Sequence, residues 1–362
     1  MQEASIDVLF VCDKAFEVQA RGLMEQGTEV PVVVRTIMAG KLRRYSHLTK
    51  LRQLFMPSIV FANIRDIFKI FGGFLQSLRL IVRFRPDVLF AKGGYVCLPI
   101  GMAAKLLGVP IVIHDSDTRP GLTNRVLGRW ATAVATGSPL DNYRYPQEIS
   151  RYVGVPIATA FHPYSDNQQR AAKRSLGFEE LRPLIVATGG GLGAASINQA
   201  VVAAAPELLA AGVQLYHVTG KQHYDNIESR AEKNNSYRIV PFVYEGMADV
   251  LGAADAVISR ASATFIQEIA GLKKAAILVP SRALSDQLGN AKVYAAADAA
   301  IVLTDDQLEE PDCLARTILE LLAHSERRRE LAARLHAIAK PDAARDVASM
   351  IIVAARRKKV RQ

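Results

Sequence analysis

Short apolar runs alternate with longer segments of helical spacing along most of the chain. Nine runs have the length and composition of buried strands, at residues 8–11, 30–34, 88–90, 111–113, 133–136, 184–187, 214–218, 256–258 and 276–279. Residues 98–107 and 194–211 show helical spacing between such runs. Strands that alternate with helices form parallel sheets covered by helices, so we predict an α/β fold of doubly wound sheets.

The alternation pauses at one place, the sequence YVGVP at residues 152–156, and resumes after Pro183. We therefore predict two domains that face a cleft, at residues 1–157 and 158–338. Residues 339–362 are expected to form a final helix and a basic tail that return to the first domain. Ligands of such sheets bind beyond the carboxyl ends of the strands, which is where candidate site residues are sought.

The composition is that of a folded protein: of 362 residues, half are hydrophobic and 22% are charged. The three cysteines lie far apart, so neither a zinc site nor a disulfide framework is predicted. The first residues lack the pattern of a secretory signal, and no run of about eighteen apolar residues predicts a transmembrane helix. We expect a protein of a reducing, cytoplasmic compartment.

The net charge of +10 is concentrated in one region. Between positions 35 and 92 there are twelve lysines and arginines but only two acidic residues, Asp66 and Asp87. The same region contains apolar residues at helical spacing, namely Phe68, Phe71, Phe74, Leu75, Leu78 and Ile81. Two interpretations remain open: this helix binds an anionic membrane surface, or it packs in the core with a solvated basic side. No RNA- or DNA-binding motif is present, so nucleic acid is not an expected partner.

The segment most indicative of function is a glycine-rich turn between an apolar strand and a helix. It consists of Gly189, Gly190, Gly191, Leu192, Gly193 and Ala194. Glycines let the backbone approach a phosphate closely, and the N–H groups at the helix start face the anion. The spacing also fits the dinucleotide pattern G-x-G-x-x-A, but the next strand ends at residues 218–220 without the acid that would hold a ribose. A nicotinamide cofactor is therefore disfavoured, and a purely structural turn stays as the alternative.

Two further groups follow later strands of the second domain. The first begins a helix after residues 256–258 and comprises Arg260, Ala263, Thr264, Phe265, Ile266, Gln267 and Glu268. Its N–H groups suit a second phosphate, and Glu268 is placed to accept hydrogen bonds from sugar hydroxyls. The second group offers polar side chains for neutral hydroxyls: Asp286, Gln287 and Asn290. The alternatives are a solvated helix position for Glu268 and an ordinary loop for the second group.

Two groups in the first domain also follow predicted strands and face the same cleft. They are Gly93, Gly94 and Tyr95, and then His114, Asp115, Asp117 and Asn124. His114 fits either a hydrogen-bonded structural role or a substrate contact. Asp115 and Asp117 would cap the helix that starts near Leu122 or orient a substrate, and either acts as a base only if its pKa is raised.

These five motifs, in this order, resemble the MurG family of UDP-N-acetylglucosamine–N-acetylmuramyl-(pentapeptide) pyrophosphoryl-undecaprenol N-acetylglucosamine transferases. The resemblance runs from about Ile6 to the final helix. It implies a GT-B fold of two Rossmann-like domains and a peripheral enzyme of peptidoglycan synthesis, on the anionic cytoplasmic face of the bacterial inner membrane. The second domain would bind the donor, UDP-N-acetylglucosamine, and the first would bind the undecaprenyl-diphosphate-linked muramyl-pentapeptide. The resemblance implies no cofactor and no protein-bound metal.

The resemblance also implies roles for individual residues. Residues 189–194 would face the diphosphate, residues 263–267 would surround the diphosphate and the nucleotide, and Glu268 would hold the ribose. Gln287 would contact the donor sugar, and the backbone near Val243 would contact uracil. The other residues on the donor side are Arg260, Asp286 and Asn290. The residues on the acceptor side are Gly93, Gly94, Tyr95, His114, Asn124 and Asp117, the last at the asparagine position of the family motif HEQN.

Three departures from the family pattern affect the expected activity. Ala158 stands where the family often has an arginine near the diphosphate, and Gly191 and Leu192 replace a common Ser-Gln pair. The family's first strand, and the glycine-rich loop with a proposed catalytic histidine, have no counterpart in this sequence. We therefore expect a truncated start, open sheet edges and Asp115 as a substitute base. The alternatives are another GT-B transferase and a non-catalytic nucleotide-sugar-binding protein.

Overall fold

The chain folds into strands and helices that alternate as the hydrophobic pattern predicts. The computed structural model describes residues 6–27, 32–41, 57–190, 194–338, 340 and 342–361. The N-terminal half contains β1 (Val8–Cys12), α1 (Glu17–Gly27), β2 (Val32–Thr36), α2 (Pro57–Phe84), β3 (Leu89–Ala91), α3 (Cys97–Leu106), β4 (Ile111–Asp115), α4 (Leu122–Leu127), β5 (Ala133–Thr136), two 3₁₀ turns (Leu140–Asn142 and Gln147–Ile149) and β6 (Ser150–Tyr152). The C-terminal half contains α5 (Asp166–Ser175), β7 (Leu184–Thr188), α6 (Ala195–Ala210), β8 (Gln214–Val218), α7 (Tyr224–Arg230), β9 (Tyr237–Val240), α8 (Met247–Ala253), β10 (Ala256–Ser259), α9 (Ala263–Gly271), β11 (Ala275–Leu278), α10 (Ser285–Ala296), β12 (Ile301–Val302), α11 (Asp305–Glu309), α12 (Cys313–Ala323), α13 (Ser325–Ile338) and α14 (Ala343–Arg361).

Six parallel strands form the C-terminal sheet, in the order β12-β11-β10-β7-β8-β9. β7 lies between β8, which follows it in the chain, and β10, which comes later. The direction of winding therefore reverses between β7 and β10, and a crevice opens beyond the carboxyl ends of these two strands. Every residue of β7 and β10 is buried, because helices cover both faces of the sheet.

The N-terminal domain contains two groups of parallel strands. β1 pairs with β2, and the other strands form a sheet in the order β3-β4-β5-β6. Within the described residues no hydrogen-bonded ladder joins the two groups. Side-chain packing connects them instead, since Val11 and Ile37 lie in one apolar cluster with side chains of α2 and α3.

The last helix, α14, packs against the N-terminal sheet. Val347 lies in an apolar cluster with Ala135 of β5 and with Val153, which follows β6. A second connection is made by Tyr152, whose hydroxyl donates a 2.9 Å hydrogen bond to the Ile338 carbonyl at the end of α13. The predicted boundary at residue 157 falls between β6 and α5, in the segment that joins the two sheets.

The hydrophobic pattern does not predict three of the strands, β6, β9 and β12. All three are edge strands, and β6 and β12 have only three and two residues. An edge strand is covered less completely than a central one, so its side chains need not form an apolar run. The pattern also places the second strand at residues 30–34, whereas β2 spans Val32–Thr36.

The basic region of the sequence contributes one long helix, α2, that is apolar on two faces. Phe74, Leu78 and Ile81 belong to the N-terminal core. A second stripe, at spacings of three and four residues, is exposed and comprises Phe61, Ile64, Phe68, Phe71 and Leu75. The stripe predicted from the sequence is thus divided, one part in the core and one part exposed. Among the described residues, no helix combines the length and apolar character needed to cross a bilayer.

Candidate active site

The crevice between β7 and β10 exposes the start of α6, which no side chain caps. Gly190, just after β7, has a φ of +78°, which glycine adopts without strain, and its N–H donates to Thr188 Oγ1 over 3.1 Å. Ala194 precedes the helix, and its methyl group offers no acceptor to the first amides. Those amides can therefore meet an anion in the crevice, as the sequence predicts. Gly189 and Gly190 are the described residues of this turn, and Gly191, Leu192 and Gly193 lie outside the described residues.

The second helix start at the crevice is that of α9, where Ser262 provides the cap. Its Oγ accepts a 3.4 Å hydrogen bond from the Phe265 N–H. Ala263 and Thr264 form the first turn, next to the crevice. Ile266 is completely buried in the core, and Gln267 is buried beside Gly154 at the junction of the domains. The helical period turns both side chains inward, and their predicted contact with the ligand stays a prediction.

Arg260, directly after β10, is paired within the protein. Its guanidinium donates to Asp305 Oδ1 over 2.9 Å, to Ser196 Oγ over 2.8 Å and to the Val279 carbonyl over 3.1 Å. Ser196 lies in the first turn of α6, so Arg260 joins this helix to the ends of β10 and β11. The Arg260 side chain therefore positions the start of α6, and its charge is balanced by Asp305, while its predicted donor contact stays a prediction.

Glu268 is an acid of the C-terminal domain whose pKa is strongly raised. It lies on the second turn of α9, partly exposed, and burial raises its pKa to about 7. Among the described residues, no side chain or backbone group is found to hydrogen-bond with its carboxylate. A carboxyl group that is costly to ionise and has no protein partner suits a ligand's hydroxyl groups, as predicted for the ribose.

Asn290 of α10 contacts the N-terminal domain. Its Nδ2 donates to Asp117 Oδ1 over 3.0 Å and to the Ala261 carbonyl over 3.1 Å, and its Oδ1 accepts from the Thr118 N–H over 3.0 Å. The Asn290 amide is therefore engaged in contacts between the domains, and its predicted contact with the donor stays a prediction. Asp117, predicted on the acceptor side, lies against the donor-side helices α9 and α10.

Gln287 and Asp286, which belong to the same group as Asn290, differ in environment. Gln287 is buried, and its Oε1 accepts a 2.9 Å hydrogen bond from the Ser281 N–H, which fixes the loop after β11. Asp286 lies close enough to Asp117 to influence it: burial raises the pKa of Asp117, and the Asp286 charge adds to the rise. Both residues remain predicted donor contacts.

Val243 lies between two aromatic side chains in the loop that follows β9. The Phe242 and Tyr244 rings meet edge to face, 4.9 Å apart, and the Lys221 ammonium lies 4.9 Å from the Tyr244 ring centroid. Val243 itself packs partly into the domain core. This loop borders the carboxyl edge of β8 and β9, and its predicted contact with uracil stays a prediction.

Asp115, the predicted base, ends β4 and is surrounded by donors. Asn124 Nδ2 donates to its Oδ1 over 2.6 Å, and the Tyr145 hydroxyl donates to its Oδ2. Burial raises the pKa of Asp115 in spite of these hydrogen bonds. Asn124 also donates to the His114 carbonyl over 2.9 Å, so it connects α4 to the end of β4. The carboxylate therefore anchors this loop, and its role as a base stays a prediction.

His114 is completely buried, which fits the structural interpretation, and its predicted contact with the acceptor stays a prediction. Its Nε2–H donates to the Gly154 carbonyl over 2.8 Å, and its Nδ1 accepts from Ser116 Oγ over 3.3 Å; these partners define the tautomer. Burial lowers the pKa of the imidazole. Gly154 follows the last N-terminal strand, so His114 fixes the connection between the domains.

The glycine motif after β3 places Gly93 next to Asn124, and both residues are predicted on the acceptor side. Gly93 has a φ of +97°, and a Cβ built there would lie 2.8 Å from Asn124 Nδ2, so only glycine permits this approach. Gly94 follows, and the Tyr95 hydroxyl donates to the Asp13 carboxylate beyond β1. That hydrogen bond raises the pKa of Tyr95 to about 12. Tyr95 therefore joins the two strand groups at the carboxyl edge that faces the cleft.

Comparisons with known proteins identify the family. Residues 18–136 match the N-terminal domain of glycosyltransferase family 28, and residues 184–347 match its C-terminal domain. The UDP-N-acetylglucosamine–N-acetylmuramyl-(pentapeptide) pyrophosphoryl-undecaprenol N-acetylglucosamine transferase of Bacillus licheniformis is 32% identical over 295 residues, which cover 80% of this chain and 79% of the relative. The protein of the same name from Paenarthrobacter aurescens is 35% identical over 286 residues, 78% of this chain and 75% of the relative. The chain belongs to the MurG family.

Solved structures confirm the predicted GT-B fold of this MurG-family chain. MurG of Acinetobacter baumannii superposes with a TM-score of 0.68 at 23% identity, covering 95% of this chain and 98% of the other. UDP-GlcNAc 2-epimerase from Neisseria meningitidis, bound to UDP-GlcNAc, gives a TM-score of 0.61 at 10% identity, covering 96% and 100%. At these identities the likeness concerns the fold alone.

Sequence reasoning missed a buried network that supports the helix start at the MurG-family crevice. Asn198 of α6 donates to the Thr219 carbonyl and accepts from His217 Nε2–H, both over 2.9 Å. The Tyr237 hydroxyl completes the network with a 3.0 Å hydrogen bond to His217 Nδ1, and burial lowers the pKa of His217 to about 4. The sequence feature that could have predicted this network is Asn198 itself, a polar residue among the apolar residues of α6, because a buried amide needs hydrogen-bond partners.

Proposed function

We propose that this chain transfers N-acetylglucosamine from UDP-N-acetylglucosamine to the lipid-linked muramyl-pentapeptide acceptor, with inversion at the anomeric carbon. The observation that carries the proposal is the pair of helix starts, α6 and α9, at the crevice between β7 and β10. The names of the related transferases give the substrates, and each of the two domains supplies one face of the cleft.

The reaction requires stabilisation of the departing UDP. Negative charge builds up on the diphosphate as the sugar–oxygen bond breaks, and the amides and dipoles of α6 and α9 point toward this charge. Arg260 contributes indirectly, because it holds the first turn of α6 through Ser196. We propose that these groups suffice, with no cofactor beyond the donor substrate and no protein-bound metal.

Removal of the proton from the attacking hydroxyl is assigned to Asp115. Its raised pKa is the property expected of a base, and the hydrogen bonds from Tyr145 and Asn124 orient the carboxylate. The acceptor would enter along the carboxyl edge of β3 and β4, next to Gly94 and Tyr95. To take up the proton, Asp115 has to lose one of its two present hydrogen bonds, from Asn124 or Tyr145, and bind the hydroxyl group of the acceptor substrate instead.

We further propose that the exposed stripe of α2 binds the anionic cytoplasmic face of the inner membrane. The stripe is apolar, and exposed basic side chains of the same helix, among them Arg65 and Lys69, flank it. Apolar side chains that enter the interface and cations that meet lipid phosphates reinforce each other. A lipid-linked acceptor would then be presented beside the N-terminal domain.

The direct test is transfer of labelled N-acetylglucosamine to the purified lipid-linked acceptor in vesicles, alongside calorimetry with UDP. We expect a product larger by one N-acetylglucosamine, with inverted anomeric configuration. Binding of UDP-N-acetylglucosamine without any transfer would favour a non-catalytic nucleotide-sugar-binding protein instead. A folded sample that neither binds UDP nor transfers the sugar contradicts the whole proposal.

A further inference from the structure

The segment that follows β5 contributes a hydroxyl group to the predicted base, Asp115. Tyr145 lies between the two 3₁₀ turns, and its hydroxyl donates to Asp115 Oδ2. Its ring packs over Gly128, where a Cβ would overlap the ring at Cε1. The ring also stacks on Tyr143, with 6.0 Å between the centroids and 19° between the planes. Packing around the Tyr145 ring therefore directs its hydroxyl to the carboxylate.

The other donor to Asp115, Asn124, is held much more firmly than Tyr145. Asn124 is 1% exposed, and its Nδ2 also donates to the His114 carbonyl over 2.9 Å. Its Oδ1 is buried with no hydrogen-bond partner among the described residues, so loss of the contact with Asp115 would leave more of a buried amide unpaired. Tyr145 is partly exposed, and water can replace the carboxylate as the partner of its hydroxyl. The hydrogen bond from Tyr145 is therefore the one that can be exchanged.

We propose that the Tyr145 hydroxyl holds the place on Asp115 Oδ2 that the attacking hydroxyl of the acceptor takes during transfer. Both groups are hydroxyl donors to one carboxylate oxygen, so the exchange keeps the number of hydrogen bonds on Asp115 unchanged. The proton of the acceptor hydroxyl then passes to Oδ2, as its oxygen bonds to the anomeric carbon and UDP departs. Tyr145 is a positioning residue in this step. The inference rests on Asp115 being the base of the function proposed above.

The groups around Asp115 determine the direction of the expected pH effect. Burial raises the pKa of Asp115, the Tyr145 hydrogen bond lowers it, and the Asp117 charge raises it. Tyr143 faces the same carboxylate, and Arg125 of α4 is a cation near Tyr145. Burial and the Asp115 charge raise the pKa of Tyr145, so its hydroxyl stays protonated and remains a donor. Loss of this hydroxyl should therefore raise the pKa of Asp115.

Tyr145→Phe removes the hydroxyl and keeps the ring. At saturating donor, kcat/KM for the acceptor reports the enzyme without acceptor, and kcat reports the complex. The acidic limb of kcat/KM should move about one pH unit toward higher pH, because a hydrogen bond to an ionised group is lost. The acidic limb of kcat should not move, since Tyr145 has left Asp115 in the complex. Tyr143→Phe, the same change at the stacked neighbour, removes a hydrogen bond to the Asp117 carbonyl and should shift neither limb.

A titration that needs no turnover gives a second readout. Carbon NMR of the Asp115 carboxyl group, assigned with Asp115→Asn, should show a midpoint about one pH unit higher in Tyr145→Phe than in the wild type. The midpoint should be unchanged in Tyr143→Phe, and thermal melting establishes that each variant is folded. If Tyr145→Phe does not fold, a fluorotyrosine at position 145 keeps the ring and makes the hydroxyl a stronger donor, so the midpoint should fall instead.

The possible results separate the exchange at Asp115 from the transferase activity. Acidic limbs of kcat and kcat/KM that shift together would show that Tyr145 stays on Asp115 during transfer. An unchanged midpoint in folded Tyr145→Phe would show that the hydroxyl does not control the carboxylate. Either result overturns the exchange while the transferase stands. A folded wild type that binds UDP and transfers no sugar overturns the proposed function, and the exchange with it.

Discussion

At the scale of single residues, the candidate site contains acids in three different conditions. Asp115 is buried and surrounded by donors, Asp117 spans the two domains, and Glu268 is desolvated with no partner found among the described residues. Burial raises the pKa of all three, but only Glu268 has no hydrogen bond that offsets the cost of ionisation. An ionised Glu268 therefore weakens the unliganded protein, as expected of a group whose partner is a ligand.

Glu268→Gln should stabilise the protein at high pH. The folded-state pKa, about 7, exceeds the ordinary value of 4.5, so the stability that neutral Glu268 contributes is present below pH 4.5 and is lost as the pH rises through 7. After allowance for partial solvent exposure, we expect a gain of about 1–2 kcal/mol at pH 8 and little change at pH 5, measured by urea denaturation. Glu320→Gln, at an exposed position of α12, should show no such pH dependence. An equal effect of Glu268→Gln at both pH values would contradict the raised pKa.

At the scale of elements, α2 combines a face in the N-terminal core with an exposed apolar stripe. A helix in a water-filled environment exposes few large apolar side chains in one stripe, yet the outer face of α2 carries three phenylalanines. The inner face of α2 packs into the N-terminal core, and folding does not require the apolar side chains of the exposed stripe. A surface of this kind, beside basic side chains, is typical of a helix that rests on a lipid interface.

Phe68→Asp should weaken binding to anionic vesicles by about tenfold, because it removes one buried aromatic side chain and adds a charge that anionic lipids repel. Phe68 is 71% exposed, so the fold should be retained. The control is Leu181→Asp, which introduces the same negative charge at an apolar loop residue that is 82% exposed. Sedimentation with phosphatidylglycerol vesicles measures the binding. Equal binding by both variants would show that the stripe does not face the lipid.

At the scale of the whole molecule, few contacts decide how the two domains are held together. The Asp117–Asn290 contact spans the cleft, while His114, Gly154 and Tyr152 fix the connection at the other side. α14 brings the end of the chain back to the N-terminal sheet, which lacks a continuous ladder between its two strand groups. The N-terminal domain therefore depends on a helix that comes from beyond the C-terminal domain.

Val347→Asp should destabilise the N-terminal domain by about 3 kcal/mol or more, because it places a carboxylate in the cluster formed with Ala135 and Val153. Ile352→Asp is the matched control, since Ile352 lies on the same helix and is 41% exposed. Circular dichroism melting curves should show an early transition in the first variant only. Similar melting curves for the two variants would mean that α14 does not stabilise the sheet.

The sequence predicts well wherever one local pattern suffices. The central strands, the α/β class and the glycine turn at residues 189–194 follow from runs of apolar residues and from glycine's backbone freedom. The edge strands β6, β9 and β12 could not be predicted in this way, because an edge strand is only partly covered and its residues need not form an apolar run. Within the site, the sequence placed Ile266 and Gln267 in a motif, and only the structure shows that both side chains are buried.

By itself, the sequence determined the type of each element, the order of the motifs and the resemblance to a family, since these depend on neighbours along the chain. Tertiary structure alone decided which polar groups are already engaged: Arg260 with Asp305, Asn290 with Asp117, and His114 with Gly154. These pairs are separated by 40 to 173 positions. A hydrogen bond over such a separation depends on how sheets and domains pack, and no local pattern of residues encodes it.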